Sequence, residues 1–141
     1  MFVTWNPEDG SEKREFNFDS DDVLRSEAVA IEKAYGASWE EWINALRIKN
    51  AKARNVLLWH LLKQDHPRLR FEDTPDFRMR QMTVEMSSEE LRAVYEQISR
   101  TKMNDDIREA FEAAFGRDIQ DALLREGKAV EGELVVLPKL P

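Results

Sequence analysis

The stretch "VLLWHLLKQDHP", from Val56 to Pro67, decides the fold of this chain. Its first seven residues are the longest uncharged apolar run in the sequence. A helix that is apolar on nearly every side is normally buried among other elements. Seven residues are far fewer than the roughly 20 that a membrane-spanning helix needs. The stretch therefore predicts the most buried helix of a helical domain, ending by Pro67 because the residue before a proline avoids helical angles.

Helix-start and helix-stop signals lie on both sides of this stretch. Ser38 and Ser87 are each followed three residues later by a glutamate, which is the pattern of a capping box. Gly36 ends an amphipathic segment that Ser20 or Asp21 can cap. The predicted helices cover 19–36, 37–50, 51–64, 87–100 and 104–129, the last as one or two helices divided at Gly116.

Short apolar or alternating segments predict extended structure at 2–5, 13–19 and 78–86, and in the apolar tail. The sequence therefore predicts a mainly α fold: a compact helical domain of about five to six helices, with short extended segments at the N-terminus, mid-chain and C-terminus. We expect one domain over 1–141, with possible sub-units at 1–76 and 77–130 and an apolar extended tail at 131–141.

The composition narrows the classes of function. The 141 residues include 28 acidic and 21 basic side chains, for a net charge of −7. Nucleic-acid backbones require a basic face, so we predict no nucleic-acid partner. The chain has no cysteine and no apolar run of membrane-spanning length, and from its N-terminal residues we expect no signal peptide. We therefore expect a protein of the cytoplasm without a membrane partner.

Both histidines lie in the opening stretch and raise the question of a metal or catalytic site. His60 and His66 are six residues apart, whereas helical zinc sites use histidines three or four residues apart. An EF-hand calcium loop that began at Asp19 would need glycine and glutamate where Leu24 and Ala30 stand. Phosphate-binding and nucleophile motifs are also absent from the sequence. We therefore predict no catalytic, cofactor-binding or metal-binding residue, and no enzyme.

Tryptophans and the apolar tail are the candidate features for binding a partner. The tryptophans at 39 and 42 either pack two helices together or leave one face open to another protein, since tryptophan is enriched at binding hot spots. The tail could add a strand to a sheet edge, in this chain or in another protein. The candidate partner-binding residues are Trp39, Trp42, Leu134, Val135, Val136 and Leu137.

The ordered features from Glu15 to Val84 resemble the tail assembly chaperones of long-tailed phages and prophages of actinobacteria. In that family an acidic opening precedes a helix with two glutamates and a glycine stop. A helix with a tryptophan follows, and then an apolar helix around a tryptophan that runs into a proline and a short acidic turn. The matching positions are Glu27, Glu32, Gly36, Trp39, Trp42, Leu57, Leu58, Trp59, Pro67, Phe71, Glu72 and Asp73.

The resemblance covers about half of the chain. The family usually has a small-residue turn, often with glycine, where this chain has the more basic "RIKNAKARN" at 47–55. The part from Ser87 onward has no counterpart in the pattern.

The resemblance implies a non-enzymatic chaperone that binds the tape-measure protein and promotes assembly of the tail tube. The implied partners are the tape-measure protein and the tail-tube protein, and a homo-oligomer is also open. Such a protein would act in the cytoplasm of the bacterial host and be absent from the mature virion. Two alternatives stay open: a structural head–tail connector or tail-completion protein of the virion, and a small metal-dependent hydrolase that uses His60 and His66.

Overall fold

The computed structural model describes residues 1–127 and has the mainly α fold that the sequence predicted. Over these residues it forms one three-stranded sheet and five α-helices. The strands are β1 (Phe2–Trp5), β2 (Arg14–Asn17) and β3 (Met82–Glu85), and the helices are α1 (Arg25–Tyr35), α2 (Trp39–Arg47), α3 (Ala51–Leu62), α4 (Ser88–Ser99) and α5 (Asp105–Arg125). The chain divides into two compact units, the first over 1–85 and the second from Met86 onward. The tail at 131–141, with its predicted extended segment, lies outside the described residues.

The sheet of the first unit has the strand order β2–β1–β3, and both strand pairs are antiparallel. Val3 lies opposite Phe16 of β2 and Val84 of β3, and its side chain is fully buried. The extended structure predicted at 2–5 and 13–19 is therefore confirmed, as the central strand β1 and the shorter edge strand β2. The mid-chain strand is shorter than predicted, because Met79–Gln81 form a 3₁₀ turn before it. Since β3 pairs with β1, the first unit extends beyond residue 76 to Glu85.

Helix α1 begins later than the sequence predicted. The Asp19 carboxylate accepts a 3.0 Å hydrogen bond from the N–H of Asp21, which starts a 3₁₀ turn at Ser20–Asp22. The α-helix itself begins at Arg25. The predicted cap at Ser20 or Asp21 is therefore wrong, because a short acidic side chain competes locally for the same backbone donors.

The junction between α1 and α2 has the predicted glycine stop and serine cap, but within the described residues the Glu41 side chain does not complete the predicted capping box. Gly36 ends α1 with a φ of 86°, in the left-handed region that glycine adopts without strain. The Ser38 hydroxyl caps α2 by accepting a 3.2 Å hydrogen bond from the N–H of Glu41. Glu32 of α1 accepts the N–H of Trp39 at 2.9 Å and so links the two helices directly.

Helix α3 has nine of its twelve residues buried, as the opening stretch predicted. Asn50 was expected to end the preceding helix, but α2 ends at Arg47, and the Asn50 side chain instead caps α3 through the N–H of Ala53. α3 ends at Leu62, and hydrogen-bonded turns fill the residues before Pro67. Its buried face joins the sheet, α1 and α2 in one core, whose largest members include Val3, Ile31, Trp42, Leu46, Leu57, Leu58 and Met82.

The second unit contains a helical hairpin of α4 and α5. Ser87 and Glu90 exchange hydrogen bonds of 3.1 and 3.4 Å, which confirms the predicted capping box. α5 runs through Gly116 without a break. None of the helices over 1–127 has the length and apolarity needed to cross a membrane. The buried apolar core of the hairpin comprises Leu91, Ile119 and Ala122.

Candidate functional site

The structure places the two candidate tryptophans of α2 differently. Trp42 is fully buried, and its indole N–H donates a 3.1 Å hydrogen bond to the carbonyl oxygen of Ala53 on α3. Trp39 is half-buried, with its ring centre 5.1 Å from that of Trp42. Trp42 therefore packs helices together and presents no surface to another protein in this fold. Trp39 is only partly covered and stays available for contact with another protein.

The other candidate partner-binding residues, Leu134, Val135, Val136 and Leu137, lie outside the described residues. The first unit does present two sheet edges, because β1 lies between β2 and β3. Edge strands carry unpaired backbone donors and acceptors that an additional strand can use. Strand addition by the tail stays a prediction.

His60 lies in a small pocket of about 220 Å³ in the first unit. The imidazole is buried, and its Nδ1 lies 3.8 Å from the Glu27 carboxylate, which is too long for a hydrogen bond. The ring of Phe18 meets it edge-on, with ring centres 5.7 Å apart. His66 is exposed. Within residues 1–127 no group of three or more His, Asp or Glu side chains is placed to hold a metal ion.

Burial governs the charge state of this pocket. Burial lowers the pKa of the His60 imidazole; the Glu27 carboxylate opposes this effect, and the Lys63 charge adds to it. Partial burial acts to raise the pKa of the Glu27 carboxyl. Hydrogen bonds from the Gln64 amide and the Leu24 N–H, with the nearby positive charges, outweigh burial and bring that pKa below its ordinary value. Near neutral pH the pocket therefore pairs an uncharged imidazole with a carboxylate that already caps α1.

The hairpin of the second unit exposes apolar side chains near its loop. Tyr95 of α4 and Phe111 of α5 stack, with ring centres 5.5 Å apart and planes 14° from parallel. One helical turn toward the loop from this pair, α4 carries Ile98 and α5 carries Ile107. Ile98 is 38% exposed and Ile107 is 55% exposed. We call Ile98, Ile107 and the half-buried Phe111 the hairpin tip.

Among the described residues of the second unit, α4 and α5 have only each other as helical neighbours, so part of each apolar stripe stays uncovered within that unit. Tyr95, by contrast, is buried between the two helices. Burial raises the pKa of its hydroxyl, and the charge and hydrogen bond of Glu112 act in the same direction.

Helical spacing groups Ile98 with Leu91 and Tyr95 in α4, and Ile107 with Phe111 and Phe115 in α5, but spacing alone does not show which of these residues are exposed. One sequence feature does indicate exposure: Ile98 lies in the last turn of α4 and Ile107 in the first turn of α5. Side chains at helix ends have fewer packing neighbours than those in the middle of a helix.

The residues that carry the family resemblance lie in the first unit and hold its elements together. Glu32 accepts the N–H of Trp39 across the first helix junction. The indole N–H of Trp59 donates a 2.9 Å hydrogen bond to the carbonyl oxygen of Leu69. The same indole meets Phe71 edge-on at 5.8 Å, where Phe71 opens the short acidic 3₁₀ turn. The pattern thus corresponds to caps and core contacts.

Comparisons of the chain with protein-family models, with curated proteins and with solved structures find no match. The resemblance to tail assembly chaperones therefore rests on the residues themselves. Those residues have defined structural roles, and the hairpin tip is one of the exposed apolar surfaces of the described residues.

Proposed function

We propose that this protein is a phage tail assembly chaperone that binds the tape-measure protein and catalyses no reaction. The observation that carries the proposal is that the resemblance residues between Glu27 and Asp73 occupy cap and core positions of the first unit, with Glu32 bonded to Trp39 and Trp59 packed on Phe71. These contacts give the residues of the pattern defined roles in stabilising the first unit. They are consistent with the resemblance, and it is the resemblance that implies a binding protein rather than an enzyme.

The hairpin tip is the surface that we propose for the tape-measure protein. An amphipathic helix of the partner would cover Ile98 and Ile107 and complete a three-helix arrangement. From Met86 to Gly127 the chain has ten acidic and six basic side chains, and this net charge disfavours aggregation through the exposed tip. In this role the protein helps to recruit the tail-tube protein in the host cytoplasm and leaves before the virion is complete.

Co-expression with the tape-measure protein of the same phage or prophage tests the proposal. We expect the soluble fraction of the tape-measure protein to rise and the two proteins to co-purify. Ile98→Asp combined with Ile107→Asp should abolish both effects, because a carboxylate cannot be covered by an apolar helix face without a large desolvation cost. The matched control is Val29→Asp, at a residue of α1 that is 57% exposed. Absence of co-purification with the wild-type protein would refute the proposal.

Mass spectrometry of purified virions separates the chaperone from a structural head–tail connector or tail-completion protein. A chaperone that leaves during assembly should be missing from intact particles while abundant in the infected or induced cell. A copy number in virions comparable to that of known tail proteins would favour the structural alternative.

A further inference from the structure

The turn that joins α2 to α3 carries the most exposed large apolar side chain among residues 1–127. This side chain is Ile48, which is 78% exposed. Three cations surround it in sequence, Arg47, Lys49 and Lys52, and all three are exposed. We call these four residues the basic turn.

The backbone of the basic turn is strained at Lys49. The N–H of Lys49 donates to the carbonyl oxygen of Leu46 at 3.3 Å, and the N–H of Asn50 donates to that of Ala45 at 3.0 Å. These two hydrogen bonds form a Schellman motif, whose left-handed position is normally glycine because a Cβ is disfavoured there. Lys49 occupies that position with a φ of 63°. The chain thus keeps a strained lysine beside an isoleucine that faces water.

The charge around the turn is opposite to that of the whole protein. No acidic residue occurs from Trp42 to Gln64, in a chain whose net charge is −7. Arg47, Lys49 and Lys52 form no salt bridge with the described residues; Arg47 contacts the Asn44 side chain, and the Lys52 ammonium lies 5.8 Å from the Tyr35 ring centre. Their charges are therefore available to an external anion.

We propose that the basic turn is an interaction surface for an acidic segment of a partner protein, with an apolar side chain of that segment packed on Ile48. Backbone strain in folded proteins concentrates at functional positions. Here the strain at Lys49 coincides with an exposed apolar side chain and with a local reversal of charge. The partner's carboxylates complement the three cations, and its apolar residue removes Ile48 from water.

The exposure of the apolar Ile48 side chain distinguishes among the classes of partner that could bind the three cations. A nucleic-acid backbone would pair with the cations but would leave Ile48 in water. A membrane surface would accept Ile48, yet stable anchoring requires more buried apolar area than one side chain provides. A peptide segment with carboxylates around an apolar residue satisfies both features of the turn.

Fluorescence anisotropy with the 141-residue chain tests the surface. The probes are three labelled peptides of equal length: one of glutamate and leucine, one in which glutamate replaces the leucines, and one in which lysine replaces the glutamates. We expect the glutamate–leucine peptide to bind at least about tenfold more tightly than either of the others. Added salt should weaken its binding, because the cations of the turn are exposed.

Variants locate the binding on the turn. Ile48→Ser should weaken binding of the glutamate–leucine peptide about tenfold without changing that of the glutamate-only peptide. The double variant Lys49→Glu with Lys52→Glu should abolish both. The matched controls on α1, Val29→Ser and Lys33→Glu, should change neither. Lys49→Gly should weaken binding by about threefold, and because this change relieves strain, its effect cannot be attributed to unfolding.

Several results would overturn the proposal. These are failure of the glutamate–leucine peptide to bind, or equal effects of the turn variants and the α1 controls. Equally tight binding of oligothymidylate, or of vesicles of anionic phospholipid, would replace the protein partner by a nucleic acid or a membrane. Self-association that Ile48→Ser abolishes without peptide, measured by sedimentation, would assign the turn to a second copy of the chain.

Discussion

The guanidinium Nη1 of Arg54 donates a 2.8 Å hydrogen bond to the carbonyl oxygen of Met82. Arg54 lies in α3 and Met82 begins β3, so one side chain ties the central helix of the first unit to its sheet. Arg54 is buried, its Nε has no hydrogen-bond partner, and it forms no salt bridge within residues 1–127. Burial accordingly lowers the pKa of the guanidinium. A buried cation held by backbone carbonyls combines a strong hydrogen bond with a desolvation cost.

Two substitutions of Arg54 separate these opposing effects. Arg54→Ala removes the charged donor and leaves a cavity, so we expect the free energy of unfolding to fall by about 3 kcal/mol. Arg54→Met fills most of the space and removes the buried charge, so the fall should be only about 1 kcal/mol. Urea denaturation measures both, with the exposed Arg80→Met as a control that should stay within about 0.5 kcal/mol of wild type. Equal losses for the alanine and methionine variants would contradict this account.

Replacing Lys49 by glycine should stabilise the protein. Glycine adopts the left-handed conformation of Lys49 without a Cβ clash, and we expect the free energy of unfolding to rise by about 0.5 to 1 kcal/mol after the greater freedom of glycine in the unfolded chain is included. Lys49→Ala is the matched control: it removes the same charge but keeps the Cβ, so it should give no such gain. A thermal or urea titration of both variants decides the matter, and an equal gain with alanine would show that charge, not strain, is responsible.

Acidification should destabilise the first unit through His60 and then through Glu27. The folded state holds the pKa of His60 below its ordinary value of 6.5, so the unfolded chain binds the proton first as the pH falls below about 6.5. The free energy of unfolding therefore falls in that range, by at most about 1.4 kcal/mol per pH unit for one group. The pKa of Glu27 is lowered from 4.5, so its stabilising contribution is present above that value and is lost as the pH falls through the folded pKa.

The two histidines provide an internal comparison for this pH effect. Urea denaturation between about pH 7.5 and about pH 5.5 should show a clear fall in stability for the wild type. His60→Gln should make that fall smaller, whereas His66→Gln, at the exposed histidine, should preserve it. A pH dependence that His66→Gln reduces and His60→Gln leaves intact would contradict the role assigned to burial.

Local signals in the sequence predicted helix ends correctly where few side chains compete for the free backbone N–H groups at the helix end. Ser38 and Ser87 cap their helices and Gly36 ends α1, because each needs only neighbours within four residues. The start of α1 was missed where Asp19 and Asp21 offered rival arrangements of the same backbone donors. A local pattern cannot rank such arrangements when their energies are close.

Features that depend on distant residues were beyond the sequence pattern. β3 pairs with β1, whose residues lie some 80 positions earlier in the chain. Nothing in the β3 sequence "MTVE" identifies β1 as its partner. From the sequence alone, Arg54 resembles an exposed cation near the start of a helix. In the structure it is buried, and its guanidinium bonds to the carbonyl oxygen of Met82 in β3. The same limit applies to the candidate site. Helical spacing places Ile98 and Ile107 on apolar stripes, but their exposure depends on how far the neighbouring helix covers them.

The two tryptophans of α2 should differ in their contribution to stability. Trp42→Phe removes the hydrogen bond to Ala53 and several buried atoms, so we expect a loss of about 2 to 3 kcal/mol in the free energy of unfolding. Trp39→Phe should cost about 1 kcal/mol, since that ring is half-buried and donates no buried indole hydrogen bond in the described structure. Urea unfolding measures the losses, and co-purification with the tape-measure protein shows whether Trp39→Phe weakens binding beyond its effect on folding. A larger stability loss for Trp39→Phe than for Trp42→Phe would contradict the placement of Trp42 as the residue that joins α2 to α3.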